Sequence, residues 1–136
     1  MFIRRRVRSG DERGAVAVEF AVLLPLMMVI LFGTIAFGIA LSRLQAYVSA
    51  AREGARYAAV HCAPQALVCS QGLIQSRVVA AAAGNPINGS VAISTDCSVN
   101  HGAPVTVSWP QPIPIEIPFV GDLSVTVNVS GTFRCE

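Results

Sequence analysis

The hydrophobic positions divide the chain into one long apolar run and several shorter segments with a different period. Between Ala15 and Leu41 the only ionisable side chain is Glu19. The 23 residues from Phe20 to Ser42 are uncharged. As a helix at about 1.5 Å per residue they reach roughly 34 Å, which is enough for a hydrocarbon layer of about 30 Å. The pattern predicts one transmembrane helix.

The helical period continues after this run. In "LSRLQAYVSAAREGARYAAV", apolar residues recur at steps of three and four and are Leu41, Leu44, Val48, Ala51, Ala55 and Ala58. Charged or polar residues on other faces include Arg43, Arg52 and Arg56, which form either a solvated face or a subunit contact. We expect one helix of about 45 residues, half embedded and half amphipathic, that breaks at Pro64.

The rest of the chain predicts a short helix and then strands. "SQGLIQSRVVAAAAGNP" is typical of a helix that ends near Gly84. "SVAISTDCSV", "APVTVSW" and "LSVTVNVSGTFRC" are rich in Val, Ile and Thr and partly alternate, as strands do. "PQPIPIEIPFVGD" has four prolines, which favours a loop or at best an edge strand. The predicted fold is α+β, with a small antiparallel sheet on the amphipathic half of the long helix.

Composition and charge support a membrane protein. Of 136 residues, 53% are hydrophobic and 13% charged, which is more apolar than soluble proteins usually are. All ten basic residues are Arg, and five of them lie in the first thirteen residues, which predicts a cytoplasmic N-terminus. Because the distal part is mildly acidic and has no basic cluster, nucleic acid is not expected as a partner.

The four cysteines, Cys62, Cys69, Cys97 and Cys135, all follow the apolar run. An even number on one side of a membrane helix predicts disulfides in an oxidising compartment. The simplest pairing joins Cys62 to Cys69 and Cys97 to Cys135, although three connectivities are possible. A zinc site using Cys97 and His101 is the alternative. No catalytic constellation is visible, so we predict neither enzyme activity, nor a cofactor, nor a metal.

The junction between leader and apolar run carries the most specific motif. A basic leader ends in "RG", and "AVAVEF" follows. This layout resembles the class III signal of type IV pilins, which a membrane-embedded prepilin peptidase cuts after the Gly. Gly14 matches the cleavage position and Ala15 the new N-terminus. Glu19 matches the acidic fifth residue, and Phe20 the aromatic residue that follows it.

The resemblance extends beyond this signal. "RGAVAVEFAVLLPLMMVILFGTIAFG", "AREGARYAA" and a valine-rich hairpin closing on "GTFRCE" are similar to the TadE-like family of minor pilins or pseudopilins. The resemblance implies assembly of Flp/Tad type IVb pili for surface adherence, with no chemistry of its own. Implied partners are the prepilin peptidase, the major Flp pilin, a TadF-like pseudopilin, the Tad inner-membrane platform and the lipid bilayer.

The implied domains are a cleaved leader over 1–14, a transmembrane helix over 15–42 and a periplasmic or extracellular head over 43–136. The protein would cross the bacterial inner membrane once. Glu19 would pair with the amine of Ala15, on its own helix or on a neighbouring one, and set subunit registry. Such pairing offsets part of the cost of a carboxylate in lipid, which is about 2.5–3.5 kcal/mol or more.

Two rival interpretations stay open. One is an uncut membrane anchor that presents a binding domain. The other is a secreted domain released by signal peptidase after Ala40, because "GIA" weakly imitates its site.

Overall fold

The computed structural model describes residues 11–62, 70–94, 97, 102–118 and 121–135, with side chains from Gly14 onward. The elements in chain order are helices α1 (Asp11–His61) and α2 (Gln71–Ala81) and strands β1 (Ala92–Ile93), β2 (Pro104–Ile117) and β3 (Gly121–Arg134). The strands form one antiparallel sheet in the order β1-β2-β3. This confirms the predicted α+β fold.

Helix α1 is a single element of 51 residues that continues through Pro25. It begins at Asp11, so the last residues of the implied leader over 1–14 belong to the helix. It ends at His61, close to the predicted break. Pro64 itself lies outside the described residues.

The second half of α1 supplies the helical side of the core. Ala51, Ala55 and Ala58 are buried as predicted, and Leu44 and Val48 pack partly against the core. Leu41 was predicted on this face but is 45% exposed. At that level the covered side of the helix is the one that carries Ala40, which is buried.

Small residues allow α1 to approach its neighbours closely. A Cβ atom at Gly131 on β3 would overlap the backbone of Ala51 and Arg52. A Cβ atom at Gly54 would overlap the side chain of Val78 on α2. The sheet and α2 therefore both pack closely against α1 between Ala51 and Gly54.

Most of the proline-rich segment belongs to β2, so the loop interpretation was wrong. β2 is the middle strand of the sheet and not an edge strand, but among the described residues β1 pairs only with Val107 and Ser108, so the proline-rich part of β2 is paired on one side only. Thr106 directs its N–H and C=O groups toward Ser94, on the β1 side of the strand. Pro110, Pro112 and Pro114 follow at steps of two, so their missing N–H groups face this same side, beyond the pairs that β1 forms. The prolines consequently remove no hydrogen bond between β2 and β3.

Gln111 is a buried polar residue that the sequence analysis did not identify. Its Oε1 accepts hydrogen bonds from the Asn88 N–H at 3.1 Å and from the Trp109 Nε1 at 3.1 Å. Its Nε2 donates to the Pro86 carbonyl at 3.2 Å, and the Tyr47 hydroxyl donates to the same oxygen at 3.1 Å. This side chain therefore attaches the segment after α2 to the sheet.

Cys97 and Cys135 form a disulfide with a Cα–Cα distance of 5.4 Å, which confirms that pairing. The zinc alternative at Cys97 is wrong, because its sulfur is bonded to Cys135. Cys62 is also disulfide-bonded. Its predicted partner, Cys69, lies outside the described residues, so that pairing stays a prediction.

We expect Gly131→Ala to destabilise the head by about 1–3 kcal/mol, because the added methyl group overlaps backbone that cannot yield as a side chain does. The measurement is denaturant unfolding of the full chain in detergent micelles, followed by the fluorescence of Trp109, the single tryptophan. Gly72→Ala is the control. It adds the same methyl group to α2 where only the Ser70 hydroxyl comes within 4.0 Å. Equal stability of the two variants would contradict the close packing.

Removing the Cys97–Cys135 bridge by a double substitution to Ala should cost about 4 kcal/mol, since the bridge closes a loop with a sequence separation of 38. The same unfolding measurement gives this value.

Non-reducing peptide mapping of the parent chain should also recover Cys62 linked to Cys69, and any other linkage of Cys62 would refute the proposed pairing.

Candidate assembly surface on the N-terminal helix

The first half of α1 is apolar on all sides and is exposed except at Phe32, Gly33 and Ala36, which are partly buried. Large hydrophobic side chains from Val16 to Leu41 project from it without cover, and Phe20, for example, is 65% exposed. The helix is long and apolar enough to cross a membrane, and none of its most apolar stretch is buried against the rest of the chain. A helix that is hydrophobic around its whole circumference needs lipid or other protein around it. We call this part, residues 14–39, the apolar shaft.

Glu19 is the one carboxylate on the apolar shaft. It is exposed and lies between Val18 and Phe20, which are exposed as well. Within the described part of the chain the only ion pair joins Arg56 to Glu53, so Glu19 has no cationic partner there. Any compensation for its charge in lipid must come from a group that the described residues of the uncut chain do not present.

The structure places the four predicted processing residues in adjacent turns of α1. Gly14 is the fourth residue of the helix, and a Cβ atom there would meet nothing. Ala15 and Glu19 are four residues apart, so they lie on the same face about 6 Å apart along the axis. Phe20 follows and points outward. A positive amine at Ala15 would therefore lie within reach of the Glu19 carboxylate.

The small residues of the apolar shaft separate into two groups. Gly33 and Gly38 have open space around them, so packing within the chain does not require glycine at either position. Such positions permit close contact with another helix. Ala40, just beyond the shaft, is buried and Ala36 is partly buried, so the head already covers this side.

The motif "AREGARYAA" is explained by packing. Its small residues face the core, whereas Arg52, Glu53 and Arg56 are exposed. The Arg56–Glu53 pair spans 3.8 Å between side chains that are largely exposed, and such a pair contributes little to stability.

An aromatic stack joins the ends of the two helices, and sequence reasoning missed it. The rings of Tyr57 and His61 stack with centroids 4.2 Å apart. The Arg77 guanidinium of α2 lies 5.0 Å from the Tyr57 centroid. The helical spacing of Tyr57 and His61 could have indicated their contact, but the position of Arg77 depends on how α2 folds back.

Among the described residues, no group of three or more His, Cys, Asp or Glu side chains is arranged to hold a metal ion. The notable features of this region are thus an uncovered apolar surface and one carboxylate.

A comparison with protein families returns one match to this region. The model of the family described as TadE-like protein matches residues 14–56. This segment is similar to TadE-like proteins. The match confirms the family resemblance over the apolar shaft and the first part of the packed half of α1. It begins at Gly14 and leaves α2 and the sheet outside.

No curated protein and no solved structure matches the chain. The TadE-like match covers 43 of the 136 residues and contains the whole apolar shaft. The length and apolar composition of this helix fit a membrane-anchored protein.

Proposed function

We propose that the protein is a minor pilin or pseudopilin that acts in the assembly of Flp/Tad type IVb pili. A prepilin peptidase would cut between Gly14 and Ala15, and the chain from Ala15 onward would be the mature subunit. The observation that carries this proposal is the position of Glu19. It is an exposed carboxylate one turn from Ala15, at the start of an uncovered apolar helix that matches the TadE-like family.

In this proposal the carboxylate of Glu19 binds the amine that cleavage creates on Ala15. Pairing within one chain neutralises the charge while the subunit waits in the membrane. Pairing with the amine of a neighbouring chain sets the axial position of one subunit against the next. Both arrangements recover part of the desolvation cost of the carboxylate.

The proposed topology has residues 1–14 in the cytoplasm as the leader, residues 15–42 in the inner membrane and the head over 43–136 on the outside. Arg-rich leaders remain on the cytoplasmic side, and the Cys97–Cys135 disulfide fits an oxidising compartment. The partners we propose are the prepilin peptidase, the major Flp pilin, a TadF-like pseudopilin, the Tad inner-membrane platform and the bilayer.

A secreted domain released after Ala40 is a weaker candidate. The cut would fall inside the continuous helix α1 and at a residue that the head buries. An uncut membrane anchor is the other rival, and it would leave Glu19 without the amine that we propose as its partner.

N-terminal sequencing of the protein purified from membranes should begin at Ala15. The peptidase removes the leader and creates the amine on which the pairing depends. A sequence that begins at Met1 would refute processing and support the uncut anchor, whereas one that begins at Leu41 would support the secreted form.

Glu19→Ala should leave cleavage after Gly14 intact but lower the amount of the protein in sheared pili by at least about tenfold, as expected for the loss of a partly buried ion pair. Immunoblots of membrane and sheared fractions give both numbers. Glu19→Gln should show a similar defect, because it keeps the shape and removes the charge.

Glu53→Ala is the matched control for this experiment. It removes an exposed carboxylate from the same helix but outside the apolar shaft, where its pair with Arg56 contributes little. Incorporation of Glu19→Ala at the level of this control would rule out the registry role.

A further inference from the structure

The described end of the β2–β3 hairpin, residues 114–117 and 121–125, which we call the hairpin tip, lies beside the end of the apolar shaft. Pro114 and Glu116 line one small opening together with Ala36, Ile39 and Arg43 of α1. Higher on the same helix, a Cβ atom at Gly54 would lie 3.6 Å from Val107 of β2. Two positions along β2, Val107 and Pro114, therefore lie beside two positions along α1, Gly54 and Ile39.

These two levels show that β2 runs back along α1 toward the membrane. From Gly54 to Ile39 the helix covers about 22 Å. From Val107 to Pro114 the strand covers about 23 Å. Because the two lengths agree, the strand is nearly antiparallel to the helix axis. The hairpin tip therefore lies beside helix residues that belong to the uncharged run ending at Ser42.

The tip has one apolar face and one acidic face. Leu123 pairs with Ile115 on the face that elsewhere forms the core, and Leu123 is 57% exposed. Glu116 and Asp122 are directly opposite each other on the other face, and both are exposed. Neighbouring carboxylates repel, and burying them in hydrocarbon is costly.

We infer that the hairpin tip is a second membrane-contacting element, which inserts the face of Leu123 and Ile115 into the lipid interface beside α1. The two carboxylates limit its depth, because they must stay among hydrated headgroups. The lipid bilayer is the occupant that the geometry favours, since the tip is held at this level by the same helix that crosses the membrane. This inference rests on the membrane insertion of α1 within the proposed function.

The test uses lipid quenching of a bimane probe on variants of the full chain that each carry one added cysteine, in phosphatidylcholine vesicles. A fraction of the lipid carries bromine on the acyl chain, near its ester end for the probes on the head and near its methyl end, at the bilayer centre, for the probe on the apolar shaft. Leu123→Cys reports on the tip. Phe133→Cys is the matched control, because it lies on the same strand and the same face, is 40% exposed, and is about 33 Å further along β3. Ile30→Cys reports on the apolar shaft.

The described cysteines are disulfide-bonded, so the parent chain should take up little probe. We expect bromolipid to reduce the fluorescence strongly for Ile30→Cys, clearly for Leu123→Cys and not for Phe133→Cys. Val125→Cys should give a smaller loss than Leu123→Cys, since it lies two residues further from the end of the hairpin.

Equal and negligible losses for Leu123→Cys and Phe133→Cys, with strong quenching for Ile30→Cys, would overturn the inference and leave the membrane anchor intact. Absence of quenching for Ile30→Cys would overturn the anchor and the inference together. A blue-shifted probe on Leu123→Cys without bromolipid quenching would mean that protein, such as a second copy, covers the tip, and this also overturns it.

Discussion

The close contact between the second half of α1 and the sheet is the constraint on which the rest of the structure depends. Gly131 lies against the backbone of Ala51, so the helix and β3 approach as closely as backbones can without an intervening side chain. Large residues on either side would separate the two elements and expose the valine-rich face of the sheet. This contact makes one continuous helix both the proposed membrane anchor and part of the head's core.

The same contact determines where the rest of the head lies relative to a membrane. Because α1 does not bend away from the sheet, the hairpin runs down the helix and ends beside Ile39 and Arg43. The head is therefore held directly at the end of the apolar shaft without a linker. The Cys97–Cys135 disulfide and the Gln111 hydrogen bonds tie the remaining segments to this sheet. A head cross-linked in this way suits a subunit whose proposed function is to pack in a fixed orientation.

At the opposite end of α1, the main constraint is the charge of Glu19. Glu19 is exposed among apolar residues, and no described residue compensates its charge. Burial of such a carboxylate is unfavourable unless a cation comes close. In the proposed function this requirement restricts assembly to processed chains, because only a chain cut before Ala15 presents the amine that pairs with Glu19. The apolar surface around Glu19 would supply the contact area, and the charge pair the register.

The sequence by itself determined the long helix, the second helix, the antiparallel strands and the TadE-like resemblance of residues 14–56, because these depend on local periodicity and on residues close together in the chain. It also identified Gly14, Ala15, Glu19 and Phe20 as one motif. Tertiary structure decided that the proline-rich segment is a strand, because only strand pairing reveals which side of the backbone lacks a partner. It likewise buried Ala40 rather than Leu41 and brought Pro114 to Ile39, since those outcomes depend on the angle and distance at which helix and sheet meet.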